Sequence, residues 1–413
     1  MAGDFLLGKF GVSFRAMSRS ALPLALLLVA GACATTPPAP PPPSASHAWA
    51  TFDAKGITAS GAAGLADRAT GRRVTIDDPV RIASITKLHV ALGIMRLVEQ
   101  GKLDLDRDVS DYLGWRVRNP AFPDAPITLR LLLSHRSSMR DGIDYWLIPA
   151  TARLQDPLAD PKAWDPEHRP GTYFQYSNLA FPVVGSVMEA VTRERLDRLM
   201  QRLVFAPLKL EACLNWSTCS DESVARAVVL YAPDGSVRRD DLRGKRPDCP
   251  GTPDARGGCD LSGYKPGTNG AIYSPQGGLR ISVSDLAKVG QMLLGRGRLP
   301  NGSRFLREAS LAEMERLHWR FDGSNGATEE NFYCGYGLAT QLTAQCSPHD
   351  DPFGDGKARV GHAGEAYGLR SAFWIDRKRG TGIAYFATGL GPDPAKGRSA
   401  YRAVEEWLAA RGR

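Results

Sequence analysis

Arg81-Ile82-Ala83-Ser84-Ile85-Thr86-Lys87, followed by an apolar run that ends at Gly101, is the stretch whose reading decides the fold. Ile85, Leu88, Leu92 and Met95 recur at helical spacing, and Gly101 is placed to end the helix. Ala91, Ile94 and Leu97 widen the apolar face, so the spacing predicts a central, buried helix. Ser84 and Lys87 fall three apart in its first turn, where hydroxyl and amine share a face. A serine is a poor nucleophile until a neighbour takes its proton, and an amine desolvated in a packed site loses basicity enough to do so. The free N–H groups at a helix start suit a developing negative charge. The S-x-x-K spacing alone carries little, because Ser262-Gly263-Tyr264-Lys265 also has it. That copy runs into Pro266-Gly267 with no helix behind it.

Around this stretch lie 413 residues, 43% hydrophobic and 23% charged, an ordinary globular composition with room for a large core. The net charge is +8, to which Asp4, Lys9, Arg15 and Arg19 contribute two. The charge is spread, without a basic patch of interleaved aromatics, so nucleic acid is not an expected partner.

The N-terminus reads as a leader. Arg15 and Arg19 precede the apolar run Ala21–Ala30, then Gly31-Ala32-Cys33. The run is too short to span a bilayer. Small residues followed at once by cysteine resemble a bacterial lipoprotein signal, with Cys33 as the lipidated first mature residue. Ala30 is less usual than leucine at its position, so secretion without lipid stays open. Either Met1 or Met17 serves as a start. The expected organisation is a signal segment over 1–33, a proline-rich tether over 34–47, and one domain over 48–413. The implied place is the bacterial cell envelope: the periplasm, with a membrane anchor through Cys33. Six further cysteines remain, Cys213, Cys219, Cys249, Cys259, Cys334 and Cys346. An even number in an exported chain suggests disulfides, and pairing sequence neighbours is the simplest of the possible sets. No C-x-x-C or H-E-x-x-H occurs, so no metal site is expected.

Strands are expected at His47–Asp53, Ile57–Gly64, Arg72–Thr75, Leu338–Gln341, Gly368–Asp376 and Thr381–Thr388. Helices are expected at Ile127–Leu133, Pro182–Val191, Arg193–Val204 (capped by Thr192), Asp285–Leu294, Leu311–His318 and Ala395–Ala410. Ser310 and Glu313 have capping-box spacing, and Leu103–Leu113 reads as a loop. The long stretch 141–170, rich in Asp, Pro and aromatics, is expected to wall a substrate cleft, and 213–270 reads as a cysteine-stapled insertion. Strands at both chain ends with helices between suggest an antiparallel sheet closed by the two termini.

A serine nucleophile needs a base, an oxyanion site and a grip on substrate. Tyr176-Ser177-Asn178 offers a phenol and an amide at alternate positions, with Asn178 able to hold Lys87 or a substrate carbonyl. A tyrosine of ordinary pKa is a weak base, and an ammonium at Lys87 is expected to ease its ionisation. His362-Ala363-Gly364 lies ahead of the strand from Gly368, where small residues admit a substrate to the strand backbone. His135, in a turn-rich Ser134–Met139, reads as a packed, hydrogen-bonded residue. No G-x-S-x-G elbow accompanies the histidines, so a Ser-His-Asp triad is disfavoured.

Ser84-Ile85-Thr86-Lys87, Tyr176-Ser177-Asn178 and His362-Ala363-Gly364, in that order, resemble the class C β-lactamase-like serine hydrolases, the penicillin-recognising fold. Leu131-Leu132-Leu133-Ser134-His135, Pro170-Gly171-Thr172, Pro207-Leu208 and Gly277-Gly278-Leu279 add to the resemblance, which covers about residues 48–410. It implies an α+β fold: a five-stranded antiparallel sheet flanked by helices, beside a mainly helical lobe. It implies an acyl-enzyme without metal or cofactor, with Ser84 attacking a carbonyl while Lys87 and Tyr176 move the proton. The N–H groups of Ser84 and Glu365 would form the oxyanion hole, with Asn178, His362 and Gly364 at the substrate. One departure is chemical: His362 stands where β-lactamases and penicillin-binding proteins usually carry a lysine, whose permanent charge serves a substrate carboxylate. Ser138 likewise stands where glycine is common. The expected protein is an exported hydrolase of small esters, amides or peptides. The alternatives are a D-alanyl-D-alanine carboxypeptidase or β-lactamase, and a non-catalytic module that binds penicillin or peptidoglycan.

Overall fold

The computed structural model describes residues 44–413. The expected leader, Cys33 and the proline run lie outside the described residues, while the last two residues of the expected tether already belong to the first strand.

Fourteen strands are described. β1 (Ser46–Asp53), β2 (Ile57–Asp67) and β3 (Arg72–Arg73) open the chain, with β4 (Val80–Arg81) just before Ser84. β5 (Cys213–Leu214), β6 (Leu230–Tyr231), β7 (Val237–Arg239) and β8 (Leu279–Ile281) belong to the middle. β9 (Trp319–Arg320), β10 (Gly335–Tyr336), β11 (Gln341–Leu342), β12 (Val360–Ala366), β13 (Leu369–Asp376) and β14 (Thr381–Thr388) close it. The main sheet is antiparallel, in the order β3-β2-β1-β14-β13-β12-β11-β10-β9. It is wider than the expected five strands. The five long strands are contiguous, β2-β1-β14-β13-β12, and two-residue strands extend both edges. Pairing of β1 with β14 joins the two ends of the domain, as the pattern of terminal strands predicts.

Nine α-helices accompany the strands among the described residues. They are α1 (Ile85–Glu99), α2 (Val109–Leu113), α3 (Leu129–Leu133), α4 (Ala180–Thr192), α5 (Leu196–Met200), α6 (Asp221–Ala225), α7 (Val283–Leu294), α8 (Glu308–Glu315) and α9 (Ala403–Ala409). The alternation of β13 separates two cores. Phe373 and Ile375 join the core that contains α1, while Ala372 and Trp374 face α9 with Ile383, Tyr385 and Leu408. α7 packs on β1 and β14 through Gly290, where a Cβ would meet the Phe52 ring at 2.0 Å. α1 is buried nearly all round, packing against α4 and β12. It is therefore the central element that its apolar residues predict.

Several local expectations give way to longer-range contacts. Leu103–Leu113 holds a helical turn, capped by Asp108. Thr192 caps nothing: it ends α4 and bonds back to Met188 O. The expected second helix is α5 followed by a π turn over Gln201–Phe205. Ser310 lies inside α8 and donates to Glu99, while Glu313 pairs with Arg130 and Arg316, so the capping box is not formed. The closing helix is shorter than its pattern. Cys213–Cys219, Cys249–Cys259 and Cys334–Cys346 are joined as sequence neighbours.

Candidate active site

Ala83, in the left-handed region at φ +48°, turns the chain from β4 into α1 and brings Ser84 to the wall of a cavity of about 870 Å³. Ser84 is the N-cap residue of α1, but its side chain makes no cap hydrogen bond. The hydroxyl instead accepts from Lys87 Nζ at 3.1 Å. Lys87 also donates to Asn178 Oδ1 and to the Gln276 carbonyl, each at 2.8 Å. The faces of Tyr176 and Phe181 enclose it at 4.8 and 5.2 Å. Burial drives the Lys87 pKa down to about 7, against the pull of the Asp141 and Glu329 carboxylates. Much of this amine is therefore neutral near pH 7, beside a hydroxyl whose proton it can take.

Asn178 is locked from its other side. Asp141 Oδ2 accepts from Asn178 Nδ2 and from the Asn178 N–H, and Asp141 Oδ1 accepts from Ser177 Oγ and the Leu179 N–H. A carboxylate from the loop that follows Met139 thus caps the start of α4. Sequence reading missed it because Asp141 is far from Asn178 in the chain.

Tyr176 reaches the same wall. Its Oη is buried without a hydrogen-bond partner of good geometry, although the hydroxyls of Ser84 and Tyr333 lie close enough to act on it. Burial pushes the phenol pKa above its ordinary value, the Glu329 and Asp141 carboxylates push the same way, and those two hydroxyls oppose them. This overturns the expectation that Lys87 eases ionisation of Tyr176. The phenol stays protonated near neutral pH, and of the two groups only the amine is brought into a range where it can take up a proton.

Tyr176 is held by His135, itself left-handed at φ +55°. The His135 carbonyl accepts from the Gln175 N–H at 2.9 Å, and His135 Nδ1 accepts from the Ser177 N–H at 3.1 Å. The two rings lie 4.3 Å apart, and Tyr333 stacks on Tyr176 at 4.8 Å. Since Nδ1 accepts, the His135 proton is on Nε2 and is donated to Tyr336 Oη at 3.2 Å. Tyr336 then donates to His362 Nε2 at 2.7 Å, and His362 Nδ1 donates to the Ala363 carbonyl. The network fixes both imidazoles as neutral tautomers. Burial, with Lys87 nearby, lowers His362 to about 3 and holds His135 well below its ordinary value.

His362 is therefore misplaced in the expected substrate-binding set. It is fully buried and turned toward Tyr336, whereas Ala363, Gly364 and Glu365 line the cavity. The motif lies ahead of β13, as expected, but is itself part of a strand, β12, which pairs with β13. Gly364 is where β12 touches the Ser84 turn: a Cβ there would lie 2.5 Å from Ile82 O and 3.2 Å from the Ser84 nitrogen. Glu365 follows on the cavity wall, its carboxylate paired with Arg370.

A family model described as Beta-lactamase matches residues 45–406. Esterase EstB of Burkholderia gladioli is 35% identical over 170 residues, 37% of this chain and 42% of that protein. Penicillin-binding protein 4 of Amycolatopsis lactamdurans is 27% identical over 260 residues, 62% of this chain and 61% of that protein. The matched segments thus span less than two thirds of either relative. The solved class C β-lactamase of Rhodobacter sphaeroides superposes with a TM-score of 0.63 at 17% identity, covering 89% of this chain and 93% of that one.

Proposed function

The chain belongs to the beta-lactamase family of serine hydrolases, and from that premise we propose that it cleaves a small ester or amide through an acyl-enzyme on Ser84. The reading is carried by one observation: Lys87 Nζ, lowered to about 7, lies 3.1 Å from Ser84 Oγ at the wall of an open cavity. Lys87 takes the Ser84 proton as Oγ bonds to the substrate carbonyl carbon. The carbonyl electron pair moves onto oxygen, toward the N–H groups of Ser84 and Glu365. Tyr176 Oη gives its proton to the leaving group as the C–O or C–N bond breaks, and recovers one from the Lys87 ammonium. Water then attacks the acyl carbon, Lys87 takes the water's proton, and Ser84 recovers its own as the acid leaves. Asn178, fixed by Asp141, keeps Lys87 in line.

The buried, neutral His362 supplies no charge to a substrate carboxylate at that position, which disfavours those β-lactams that depend on a cation there. A fluorophosphonate probe tests the chemistry: labelling is expected in the wild type and not in Ser84→Ala, and absence of labelling in both supports a non-catalytic envelope module instead. Nitrophenyl esters, nitrocefin and D-alanyl peptides then sort esterase from β-lactamase and carboxypeptidase. Export and a lipid on Cys33 are part of the proposal, supported by the leader pattern and by three disulfides. Cys33→Ala is expected to shift the protein out of the membrane fraction; unchanged fractionation rejects the anchor.

A further inference from the structure

Two arginines on the wall of the Ser84 cavity, Arg81 and Arg239, have no ion-pair partner of their own among the described residues. Arg81, three residues before Ser84, pairs directly across β4 and β8 with Arg280. Both are buried, and like charges opposed in this way are destabilising. They share one carboxylate. Asp240 accepts from Arg280 at 2.8 Å and from Trp216 Nε1 at 2.9 Å, and makes no direct bond to Arg81. Arg81 has only neutral partners: the Gly277 carbonyl at 2.6 Å and, at 3.5 Å, Asn215 Oδ1. Its Nε is buried without a partner. Two buried guanidiniums on one carboxylate leave the cluster one negative charge short, which is costly unless a further anion completes it.

The second arginine is Arg239, at the exposed end of β7. Its guanidinium makes no hydrogen bond or ion pair with the described residues and lies 5.4 Å from the Tyr367 ring. Arg81 lies 5.1 Å from the same ring. Tyr367 is itself an outlier. It occupies the two-residue turn between β12 and β13 at φ +54°, ahead of Gly368 at φ +74°, where Asn-Gly is the usual choice, and 44% of its surface is exposed. All three residues line the cavity that holds Ser84 and Gly364.

We propose that Arg81, Arg239 and Tyr367 form a subsite for a carboxylate carried by the substrate, which rests on the hydrolase reading and narrows it to anionic esters or amides. The charge that a lysine in place of His362 would supply is here presented from β4 and β7, on the far side of Gly364 along β12. Tyr367 holds the two cations apart by their attraction to its face. An entering carboxylate takes hydrogen bonds from the guanidiniums and supplies the negative charge that the cluster lacks.

The test uses matched pairs: 4-nitrophenyl hydrogen adipate against its methyl ester, and 4-acetoxybenzoate against its methyl ester. They place the carboxylate on the acyl side and on the leaving-group side. The wild type is expected to prefer one charged member in kcat/KM by about ten- to hundredfold, the range of a charge-assisted bond. Arg239→Gln and Tyr367→Ala are expected to lower that ratio toward one, Arg239→Lys to restore part of it, and Arg243→Gln, away from the cavity, to keep it. Arg81→Gln is a harsher variant because Arg81 is buried, and Arg239→Gln with Tyr367→Ala decides the outcome. Calorimetric binding of 4-acetoxybenzoate and its methyl ester to the Ser84→Ala protein reads the subsite without turnover. Equal handling of charged and neutral members, or a preference that survives both Arg239→Gln and Tyr367→Ala, overturns the subsite and leaves the hydrolase intact. Absence of fluorophosphonate labelling overturns the hydrolase, while the calorimetry still decides the subsite.

Discussion

Tyr176 offers a separation of stability from chemistry at a single atom. Its Oη has no hydrogen-bond partner of good geometry, so Tyr176→Phe strands no donor or acceptor. The variant is expected to melt at the wild-type temperature or slightly above, while kcat for a nitrophenyl ester falls by about 10²–10⁴, the range of a lost acid–base group. A matching fall in stability would mean that the phenol is structural. Lys87 sets the pH dependence. Its folded pKa lies below the ordinary amine value, so the neutral base is lost as pH falls through about 7. The expected kcat/KM profile is a plateau above 7 and a decline toward a tenfold loss per pH unit below it. A profile flat from pH 5 to 8 would reject the neutral amine as base. Ser84 and Lys87 were legible in the sequence because both sit on one helix turn, where local geometry is enough. His135 was legible only as a packed residue: its grip on both sides of Tyr176 depends on two segments meeting.

The proposed oxyanion region lies where β12 touches the start of α1. Gly364→Ala places a methyl 2.5 Å from Ile82 O and Ser371 Oγ, and neither a backbone carbonyl nor a buried side chain gives way easily. The expected result is a loss of about 1–3 kcal/mol in stability together with a drop in kcat of at least tenfold, as the Ser84 N–H moves from its place. Denaturant unfolding and steady-state kinetics on the same preparation check both; unchanged kcat would remove β12 from the oxyanion site. At this scale the sequence located α1 and four of the five long strands, β1, β2, β13 and β14, but not β12, which carries Gly364. It misjudged the ends of α4, α5 and α8, because Thr192, Ser310 and Glu313 take partners by tertiary contact instead of capping. The two-residue strands that widen the sheet have too few residues to leave an alternating pattern.

The whole molecule stores opposed titrations in its interior. Burial holds His89 at about 4 and His362 at about 3, with His135 also depressed, so the unfolded chain binds more protons than the folded one below about pH 6.5. Burial raises Glu189 and Glu405 to about 7, so those two groups work the other way between 4.5 and 7. The two sets largely offset one another in that window. Below about 4.5 the glutamates are protonated in both states and only the histidine penalty still grows, joined by carboxylates such as Glu313, which Arg316 holds at about 2. Thermal melting is therefore expected to vary little from pH 7 to 5 and to fall steeply below about 4.5. A steady decline starting at 6.5 would mean that the glutamates do not carry their protons.

By itself the sequence determined the central helix, the Ser84–Lys87 turn, the three ordered motifs and the closure of the sheet by the chain ends. Each of these is written in residue spacing or in motif order. Only the tertiary structure decided which of Lys87 and Tyr176 sheds its proton more readily than usual and which holds it, that His362 faces Tyr336 and not the cavity, and that Arg81, Arg239 and Tyr367 gather on one wall. Protonation state and charge pairing depend on burial and on neighbours far away in the chain, and those distances exist only once the strands have paired.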